Sequence, residues 1–214
     1  MYVPKPFAEP DVAVLHQLMC DHPLATLVTV GADGPEADLI PLSLVVTEDA
    51  PLGVLQGHVA RANPLWREHG ETKQVLAVFH GPESYISPSW YATKQETGRV
   101  VPTWNYAVVQ AHGTMRVIDD SAWLLGQIEA LTRSQEVPFE NPWSVADAPA
   151  EYVEKLLTAI VGIEITISRL QGKWKVSQNQ PEANRSGVIE GLESRGTEKA
   201  RNMAALVRER SECL

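Results

Sequence analysis

The sequence predicts an α+β fold, mainly β, in which an antiparallel sheet or barrel carries peripheral helices. Short runs of alternating or β-branched residues recur along the 214 residues, and turn residues separate several of them. Helical patterns stand between the strands, without the steady strand–helix alternation of a doubly wound parallel sheet. We expect a single domain over residues 1–214, with a C-terminal helical extension over about residues 197–214.

The N-terminal part begins with a predicted helix. Asp11 suits its N-cap, and apolar residues recur at helical spacing from Val12 to Met19. Pro41 lies inside a later strand candidate, where it indicates an edge strand or a bulge because proline cannot donate to the hydrogen-bond ladder. The strands predicted in this part cover residues 25–30, 39–46, 53–58 and 75–79, with a turn over residues 31–34.

The C-terminal half predicts two further strands, over residues 106–118 and 161–167, with two helices between them. Ser121 suits the N-cap of the first helix and Asp147 that of the second. A last amphipathic helix begins at about Thr197. Its apolar face consists of Met203, Leu206 and Val207.

Composition excludes several classes of protein. The net charge of −9 argues against a duplex-binding surface, which needs clustered Lys and Arg, but it permits one basic pocket. No run approaches the ~18 to 20 apolar residues of a membrane helix, and residues 1–7 lack the pattern of a secretory signal. With only two cysteines there is no disulfide framework. We therefore expect a cytoplasmic protein without membrane association.

Familiar catalytic and metal motifs are missing from the sequence. It contains no Gly-x-Gly-x-x-Gly, no P-loop, no His-Glu-x-x-His and no Cys-x-x-Cys. None of the six histidines forms an i, i+4 pair. The sequence therefore predicts no metal site, and no general base or other catalytic residue stands out.

The first candidate binding segment is the run from Gly57 to Trp66, where a strand ends and a helix begins. Asn63 suits the N-cap, Pro64 the first helical position and Gly70 the helix end. Free amides of a first helical turn attract anions, so His58 and Arg61 just upstream would complete a phosphate pocket. The alternative is that Asn63-Pro64 is only a cap and that Arg61 forms a surface ion pair.

The second candidate segment, over residues 81–106, is rich in indoles, phenols, hydroxyls and amides. Such a mixture can make a wall for a planar heteroaromatic ring, because the aromatic faces are flat and apolar while the polar groups bond the edge of the ring. The alternative is that these aromatic loops only cover a barrel end or form a dimer contact. The candidates are Ser87, Trp90, Tyr91, Thr103, Trp104 and Asn105.

The third candidate segment is polar and runs from Gly172 to Val188, after a strand. It suits a loop that reaches a ligand or another subunit, and a solvated turn is the alternative. Glu164 lies within the preceding apolar run. An inward-facing acid needs a partner, which Lys173 or Lys175 could provide; otherwise Glu164 faces water.

Together these segments resemble the PaiB family of FMN-binding negative regulators of protease synthesis and sporulation. The resemblance extends over nearly the whole chain. It rests on Met1-Tyr2-Val3-Pro4 and on the motifs at residues 57–64, 85–91, 101–106, 161–165 and 173–179.

The resemblance implies an FMN-binding split β-barrel, similar to pyridoxamine phosphate oxidases, that forms a homodimer with the flavin at the interface. His58, Arg61 and Asn63 would then hold the FMN phosphate. The six candidates of the second segment would lie near the ring or the ribityl chain. The late segment would reach the flavin of the partner subunit through Lys173, Trp174 and Gln178.

Four positions depart from the family pattern. The chain has Asp38 and Gln110 where the family pattern has histidine. It has Gln180 and Asn184 where the pattern has arginine and aspartate. The exchange removes bases and adds an acid, which lowers the expected attraction for an anion.

The resemblance implies a negative transcriptional regulator that acts through flavin binding or flavin redox state. Direct DNA binding is not expected, because the net charge is −9 and no helix-turn-helix signature is visible. The alternative is an FMN-dependent oxidoreductase or flavin reductase, in which a nicotinamide donor reduces the flavin and a small molecule accepts the electrons.

Overall fold

An eight-stranded sheet is the main element of the computed structural model, which describes residues 1–31, 33–67 and 72–212. The hydrogen-bonded order of the strands is β3-β2-β6-β7-β8-β5-β4, and β1 pairs with β8. The strands are β1 (Ala8–Glu9), β2 (Leu24–Gly31), β3 (Gly34–Pro41), β4 (Ser43–Thr47), β5 (Ala50–Ala60), β6 (Thr72–Ile86), β7 (Thr103–Ile118) and β8 (Ile160–Lys175). The predicted fold class, antiparallel and mainly β, is confirmed.

Six α-helices accompany the sheet in the described ranges. They are α1 (Val12–Asp21), α2 (Thr93–Thr97), α3 (Ser121–Glu136), α4 (Ala150–Leu157), α5 (Glu182–Ser194) and α6 (Glu198–Glu212). Short 3-10 helices cover Lys5–Phe7, Pro64–Trp66, Pro88–Trp90 and Val145–Asp147. None of the described helices is long and apolar enough to cross a membrane.

The chain divides into two compact units, which are described separately. The terminal unit consists of Met1–Asp21, His80–Gln110 and Gln171–Leu214. The central unit consists of His22–Phe79 and Ala111–Leu170. Strands β6, β7 and β8 contribute residues to both units. The expectation of one domain over residues 1–214 stays a prediction.

The core of the central unit follows the period-two pattern of its strands. Side chains at alternate positions of β2 and β5 are buried, and β8 is buried continuously from Val161 to Ile165. Strand β5 pairs antiparallel with β8, from Val54 opposite Thr166 to Ala60 opposite Ile160. This pairing fixes the end of β5 beside the start of β8, which sets the surroundings of the turn that follows residue 60.

In the terminal unit the last helices supply much of the core. Helix α5 packs against α6, and Met203 and Val207 of α6 are buried while Leu206 is half-buried. The predicted amphipathic C-terminal helix is thus confirmed over the described residues; positions 213 and 214 lie outside them. Glu9 of β1 is buried and forms an ion pair with Arg210.

The outer face of the β2–β3 hairpin is apolar and exposed. Thr26 lies opposite Leu39 in the register, and Leu24 lies opposite Pro41. The exposed fractions are 55% for Leu24, 64% for Val30 and 69% for Leu39. We call these three side chains the hairpin face.

Several local predictions are confirmed. Asp11 caps α1 by accepting a hydrogen bond from the backbone N–H of Ala13 at 2.8 Å. Pro41 is the last residue of β3, which is an edge strand. Asn63 caps the short helix that begins at Pro64. Gly70, the predicted end of that helix, and Ala32 of the predicted turn lie outside the described residues.

The prediction of one strand over residues 39–46 is wrong, because the run is split between β3 and β4. Leu42 separates the two strands, and its side chain is buried while its backbone N–H donates to the Pro23 carbonyl at 2.9 Å. Pro41, just before the break, indicated an edge strand or a bulge, but the apolar residues that continue past it favoured one uninterrupted strand.

Two predicted caps are also wrong. Asp120, not Ser121, caps α3 by accepting from the Trp123 backbone N–H at 2.7 Å. Asp147 accepts from the Ser144 backbone N–H at 2.7 Å and belongs to the 3-10 helix before α4. Adjacent Asp and Ser residues each qualify as caps, so sequence alone does not choose between them.

The third candidate segment is not the loop that the sequence indicated. Gly172 to Lys175 is the end of β8, and residues 182–188 belong to α5. Glu164 is buried and accepts from Arg116 Nε at 2.8 Å and from Gln56 Nε2 at 2.9 Å. Its partner is therefore an arginine of β7 and not one of the lysines proposed from the sequence.

Candidate functional site

In the central unit, Arg61 at the end of β5 is held by other protein groups. Its guanidinium donates to both carboxylate oxygens of Asp119, at 2.9 and 2.5 Å. It also donates to the carbonyls of Thr158 at 2.8 Å and Ile160 at 3.0 Å. The hydrogen bond with Asp119 raises the pKa of Arg61, and the same bond lowers the pKa of Asp119. A phosphate at this position would have to compete with Asp119.

His58 and Asn63 also have protein partners. The Nδ1 atom of His58 lies 2.8 Å from Oε1 of buried Gln127, whose Nε2 has no hydrogen-bond partner among the described residues. Asn63 accepts from the Leu65 backbone N–H at 2.8 Å and donates to Asp38 Oδ1 at 3.0 Å. The ion-pair and cap alternatives for this turn are therefore both observed.

The terminal unit contains a cavity of about 280 Å³, which we call the terminal-unit cavity. Arg99 and Lys175 contribute two positive charges to its wall, and no described lining residue is acidic. Hydroxyls and carboxamides make up most of the remaining polar wall. The lining residues are Tyr91, Thr93, Arg99, Val100, Val101, Thr103, Asn105, Lys175, Ser177, Asn179, Gln180 and Asn184.

Lys175, the last residue of β8, has only neutral hydrogen-bond partners. Its ammonium donates to Thr103 Oγ1 and, at 2.6 Å, to the Trp104 carbonyl. Burial lowers the pKa of Lys175, and the neighbouring charge of Lys173 lowers it further. The ammonium therefore lacks a counter-ion within the described residues.

A buried pair on the cavity wall fixes the turn after β8. Asn105 is 1% exposed and donates from Nδ2 to Ser177 Oγ at 2.9 Å. Ser177 has φ of +66°, a left-handed conformation found at no other described non-glycine residue. Gln178 supports the turn by accepting from the Val176 backbone N–H at 2.8 Å. The chain thus keeps a strained residue at the cavity wall.

Arg99 and Asn184 close other sides of the cavity. Arg99 follows Gly98, which ends α2 in the left-handed conformation, and its guanidinium has no hydrogen-bond or ion-pair partner within the described chain. Asn184 accepts from the Thr93 backbone N–H at 3.1 Å and donates to Gln180 Oε1 at 3.1 Å. Two of the positions that depart from the family pattern are therefore hydrogen-bonded to each other here.

The candidate indoles of the second segment do not line the cavity. Trp90 packs on α5, where a side chain at Gly191 would overlap its indole ring. Trp104 is exposed and makes an edge-to-face contact with Tyr85, with ring centroids 6.1 Å apart. Ser87 caps a 3-10 helix by accepting from the Ser89 backbone N–H at 3.2 Å.

The candidates of the third segment surround the cavity wall without lining it. Trp174 is 4% exposed, with the Arg210 guanidinium 5.6 Å from its ring centroid. The Lys173 ammonium lies 5.2 Å from the Tyr106 ring centroid. Gln178 donates to the Trp174 carbonyl at 2.5 Å, which is part of the turn described above. All three residues thus have structural contacts.

The terminal-unit cavity thus brings together three of the predicted residues, Tyr91, Thr103 and Asn105. Burial raises the pKa of Tyr91, so its hydroxyl is a neutral donor at physiological pH. His58, Arg61 and Asn63 belong to the central unit. Sequence reasoning did not select the other nine lining residues, which include Arg99, Lys175, Ser177 and Asn184; Lys175 and Ser177 lie in a motif that it did quote.

The central unit has a cavity of its own, of about 380 Å³, between the C-terminal half of α3 and residues 142–146. Its wall carries Glu129, Glu136 and Arg133 beside the exposed Trp143. None of the predicted site residues lines it. Among the residues that the structure describes there is no group of three or more His, Cys, Asp or Glu side chains that could hold a metal ion.

Comparison with known sequences identifies relatives over nearly the whole chain. Residues 1–169 match the family described as "Putative FMN-binding domain". An uncharacterized protein of Emericella nidulans is 41% identical over 99% of this chain and 98% of its own length. The protease synthase and sporulation protein PAI 2 of Bacillus subtilis is 30% identical over 98% of each chain.

Solved structures share the fold at low sequence identity. The FAD and heme binding protein from Mycobacterium smegmatis gives a TM-score of 0.59 at 19% identity, covering 78% of this chain and 73% of that one. The flavocytochrome Anf3 from Azotobacter vinelandii gives 0.51 at 14% identity, covering 81% and 72%. The architecture described above is therefore one that known flavin-containing proteins also have.

Proposed function

The chain belongs to this FMN-binding domain family, and from that premise we propose that it is a flavoprotein whose cofactor is FMN. The terminal-unit cavity is the observation that carries the proposal. Its two cations suit a phosphate, and its hydroxyls and carboxamides suit the polar edges of a flavin ring or a ribityl chain. The absence of a carboxylate from the described wall removes the main source of repulsion for an anionic ligand.

The residues that line the cavity offer groups that suit parts of such a ligand. Tyr91 and Thr103 offer hydroxyls, Asn105 and Gln180 offer carboxamides, and the turn at Ser177 is already held in one conformation. The bound flavin would supply hydride or electron transfer. The chain would bind and orient it and supply neutral donors, because no general base lines the cavity.

Homodimer formation with the flavin at the interface is part of the proposal. The hairpin face supports it, because Leu24, Val30 and Leu39 form an exposed apolar patch of the kind that subunits bury. A second copy would cover this patch and would bring a second set of candidate residues to the flavin. The assignment of Trp104, His58, Arg61 and Asn63 to the flavin stays a prediction.

For the biological role, we propose a regulator that responds through flavin binding or flavin redox state. The Bacillus subtilis relative, whose name refers to sporulation, supports this role. A net charge of −9 disfavours direct DNA binding, so a protein partner or a metabolic effect fits better. The alternative is an FMN-dependent oxidoreductase that uses a nicotinamide donor. Cytoplasmic location stays a prediction.

A titration of the purified full-length chain with FMN tests the proposed function. We expect bound flavin to change its absorption and fluorescence spectra, and Thr103→Val to weaken binding about 2- to 10-fold, as loss of one neutral hydrogen bond would. Thr158→Val in the central unit is the matched control and should bind like the unmodified protein. A chain that neither retains FMN nor binds it when it is added would refute the proposal.

Two measurements distinguish the regulator from the oxidoreductase: reduction of the bound flavin, and binding of the pure protein to DNA. Bleaching of the bound flavin by a reduced nicotinamide at a catalytic rate, with turnover of an added acceptor, would favour the oxidoreductase. A flavin that is reduced only slowly would favour the regulator. Sequence-selective, salt-dependent binding of the pure protein to DNA would contradict the preference for an indirect regulator.

A further inference from the structure

We propose that the terminal-unit cavity is an anion site, in which Arg99 and Lys175 bind the phosphate monoester of a ligand. The site is built from residues other than His58, Arg61 and Asn63, which the sequence favoured for the phosphate. The site itself follows from the cavity; only the identification of the phosphate as that of FMN rests on the proposed function.

The charges around the cavity are unbalanced. Arg99 and Lys175 line it, and Lys173 lies two residues before Lys175 on β8 without lining it. The nearest acids along the chain, Glu96 of α2 and Glu182 of α5, are exposed and do not line the cavity. A dianionic phosphate would therefore meet cations without a competing carboxylate.

Unused hydrogen-bond donors distinguish this site from the Arg61 turn. An ammonium has three N–H donors and a guanidinium has five. Lys175 uses donors on Thr103 Oγ1 and the Trp104 carbonyl, both neutral, and Arg99 has no side-chain partner within the described residues. Arg61 instead donates to a carboxylate and two carbonyls. Phosphate oxygens are acceptors only, so they need the donors that Arg99 and Lys175 keep free.

The size of the cavity suits one end of a ligand. Its volume of about 280 Å³ falls just below the range of roughly 300–1,000 Å³ that encloses a drug-sized molecule. A phosphate and the atoms next to it would fit, and the rest of the ligand would extend beyond the cavity. This size is expected for a site that binds only the phosphate end of a longer molecule.

The strained turn at Ser177 is a second, independent feature of the same wall. A non-glycine residue in the left-handed region persists only where its surroundings hold it, and such residues concentrate at ligand sites. Ser177 is held by the hydrogen bond from buried Asn105 and by the Gln178 side chain. Protein groups alone therefore hold this part of the wall in one conformation.

The lowered pKa of Lys175 is consistent with this arrangement. Its ammonium is partly desolvated and lies near Lys173, and it has no carboxylate to offset either effect. A bound dianion would supply the missing counter-charge. The charged form of Lys175 would then become more favourable on binding.

The first experiment compares FMN with riboflavin, which lacks the phosphate. The full-length protein is titrated alongside three variants that each remove one positive charge: Arg99→Gln, Lys175→Gln and the matched control Arg133→Gln on α3 of the central unit. We expect the first two to weaken FMN binding about 10- to 100-fold and riboflavin binding much less. Arg133→Gln should match the unmodified protein. Equal effects on FMN and riboflavin would show that the FMN phosphate is not held here.

The second experiment uses inorganic phosphate and flavin-free protein. Phosphate, compared with chloride at equal ionic strength, should raise the thermal midpoint of the unmodified protein and of Arg133→Gln, but not that of the double variant Arg99→Gln/Lys175→Gln. The midpoints without phosphate also show whether each variant is folded. An effect of Arg99 and Lys175 on phosphate but not on FMN would support the anion site and assign it to a phosphorylated ligand other than FMN.

The outcomes separate this proposal from the proposed function. Flavin binding that ignores Arg99 and Lys175, together with no phosphate effect, would overturn the anion site and leave flavin binding intact. A phosphate effect that needs Arg99 and Lys175, in a chain that binds no flavin, would support the anion site and refute the proposed flavin binding.

Discussion

Arg61 and Arg99 lie in two candidate binding segments of the sequence. The protein groups around the two guanidinium ions differ completely. Arg61, in the central unit, donates to Asp119 and to two backbone carbonyls. Arg99, in the terminal unit, lines a cavity beside Lys175 and has no side-chain partner within the described residues. The donors of Arg61 are therefore engaged within the protein, whereas Arg99 is exposed and its guanidinium can bind either water or a ligand.

The largest expected effect is the loss of FMN affinity when the terminal-unit cavity loses its positive charges. Neutralising both of its cations, in Arg99→Gln/Lys175→Gln, removes two charge-assisted hydrogen bonds to the phosphate and should weaken FMN binding at least about 100-fold. Titration followed by flavin fluorescence measures the change. The charge-matched double variant Arg133→Gln/Lys155→Gln in the central unit should bind FMN normally, and a comparable loss in that variant would attribute the effect to net charge.

A smaller effect is expected at the Arg61 turn, and it concerns stability more than FMN affinity. Arg61→Ala removes the ion pair with Asp119 and the bonds to two carbonyls, so it should lower the thermal midpoint. FMN affinity should change by roughly twofold or less. If instead FMN binding falls by about 1.5 to 3 kcal/mol with a normal midpoint, as a direct phosphate contact predicts, the two regions exchange roles.

The backbone at Ser177 allows a test of strain that the Arg61 turn does not offer. Both Ser177→Gly and Ser177→Ala lose the hydroxyl that Asn105 donates to, but only glycine relieves the left-handed conformation. We expect the glycine variant to be more stable than the alanine variant by about 1 kcal/mol. Denaturant unfolding of the two variants measures the difference, and equal stabilities would mean that the turn is not strained.

The smallest effect is the pH dependence of the Arg61–Asp119 pair. Because Arg61 lowers the pKa of Asp119 below its usual value of 3.8 in the folded state, the pair stabilises the fold above that value. The contribution is lost as the pH falls through the lower folded pKa. Asp119→Asn should therefore be slightly less stable than the unmodified protein at neutral pH and equal to it in strong acid. A gap that persists in acid would contradict the charge-based explanation.

Features that depend on a few neighbouring residues were predictable from the sequence. Asp11 caps α1, Asn63 caps its short helix and the α6 periodicity buries Met203 and Val207. Each follows from hydrogen bonds or spacing within about two helical turns. Helix α5 was missed because its first turns belong to a polar segment that follows a strand and suits a loop. Its Gly191 lies against the Trp90 ring, where a side chain would overlap the indole.

The candidate site was predictable only in part, because distant segments assemble it. Residues 91–105 and 175–184 form one wall, and the sequence carries no signal that they meet. For the same reason the sequence offered only a nearby lysine or water as the partner of Glu164, whereas Arg116 on the neighbouring strand β7 forms the contact. The motif at residues 173–179 did contain Lys175 and Ser177, but the interpretation selected Lys173, Trp174 and Gln178 instead.

The edge strand β3 has a consequence for how copies of this chain associate. Pro35 and Pro41 lack backbone N–H groups, and Glu36 and Asp38 place negative charges between them. A further strand would therefore meet few N–H donors and two negative charges along that edge. Natural sheets use such features to avoid edge-to-edge aggregation. In the proposed homodimer, copies would meet through the hairpin face, and the edge of β3 would disfavour open-ended polymerisation.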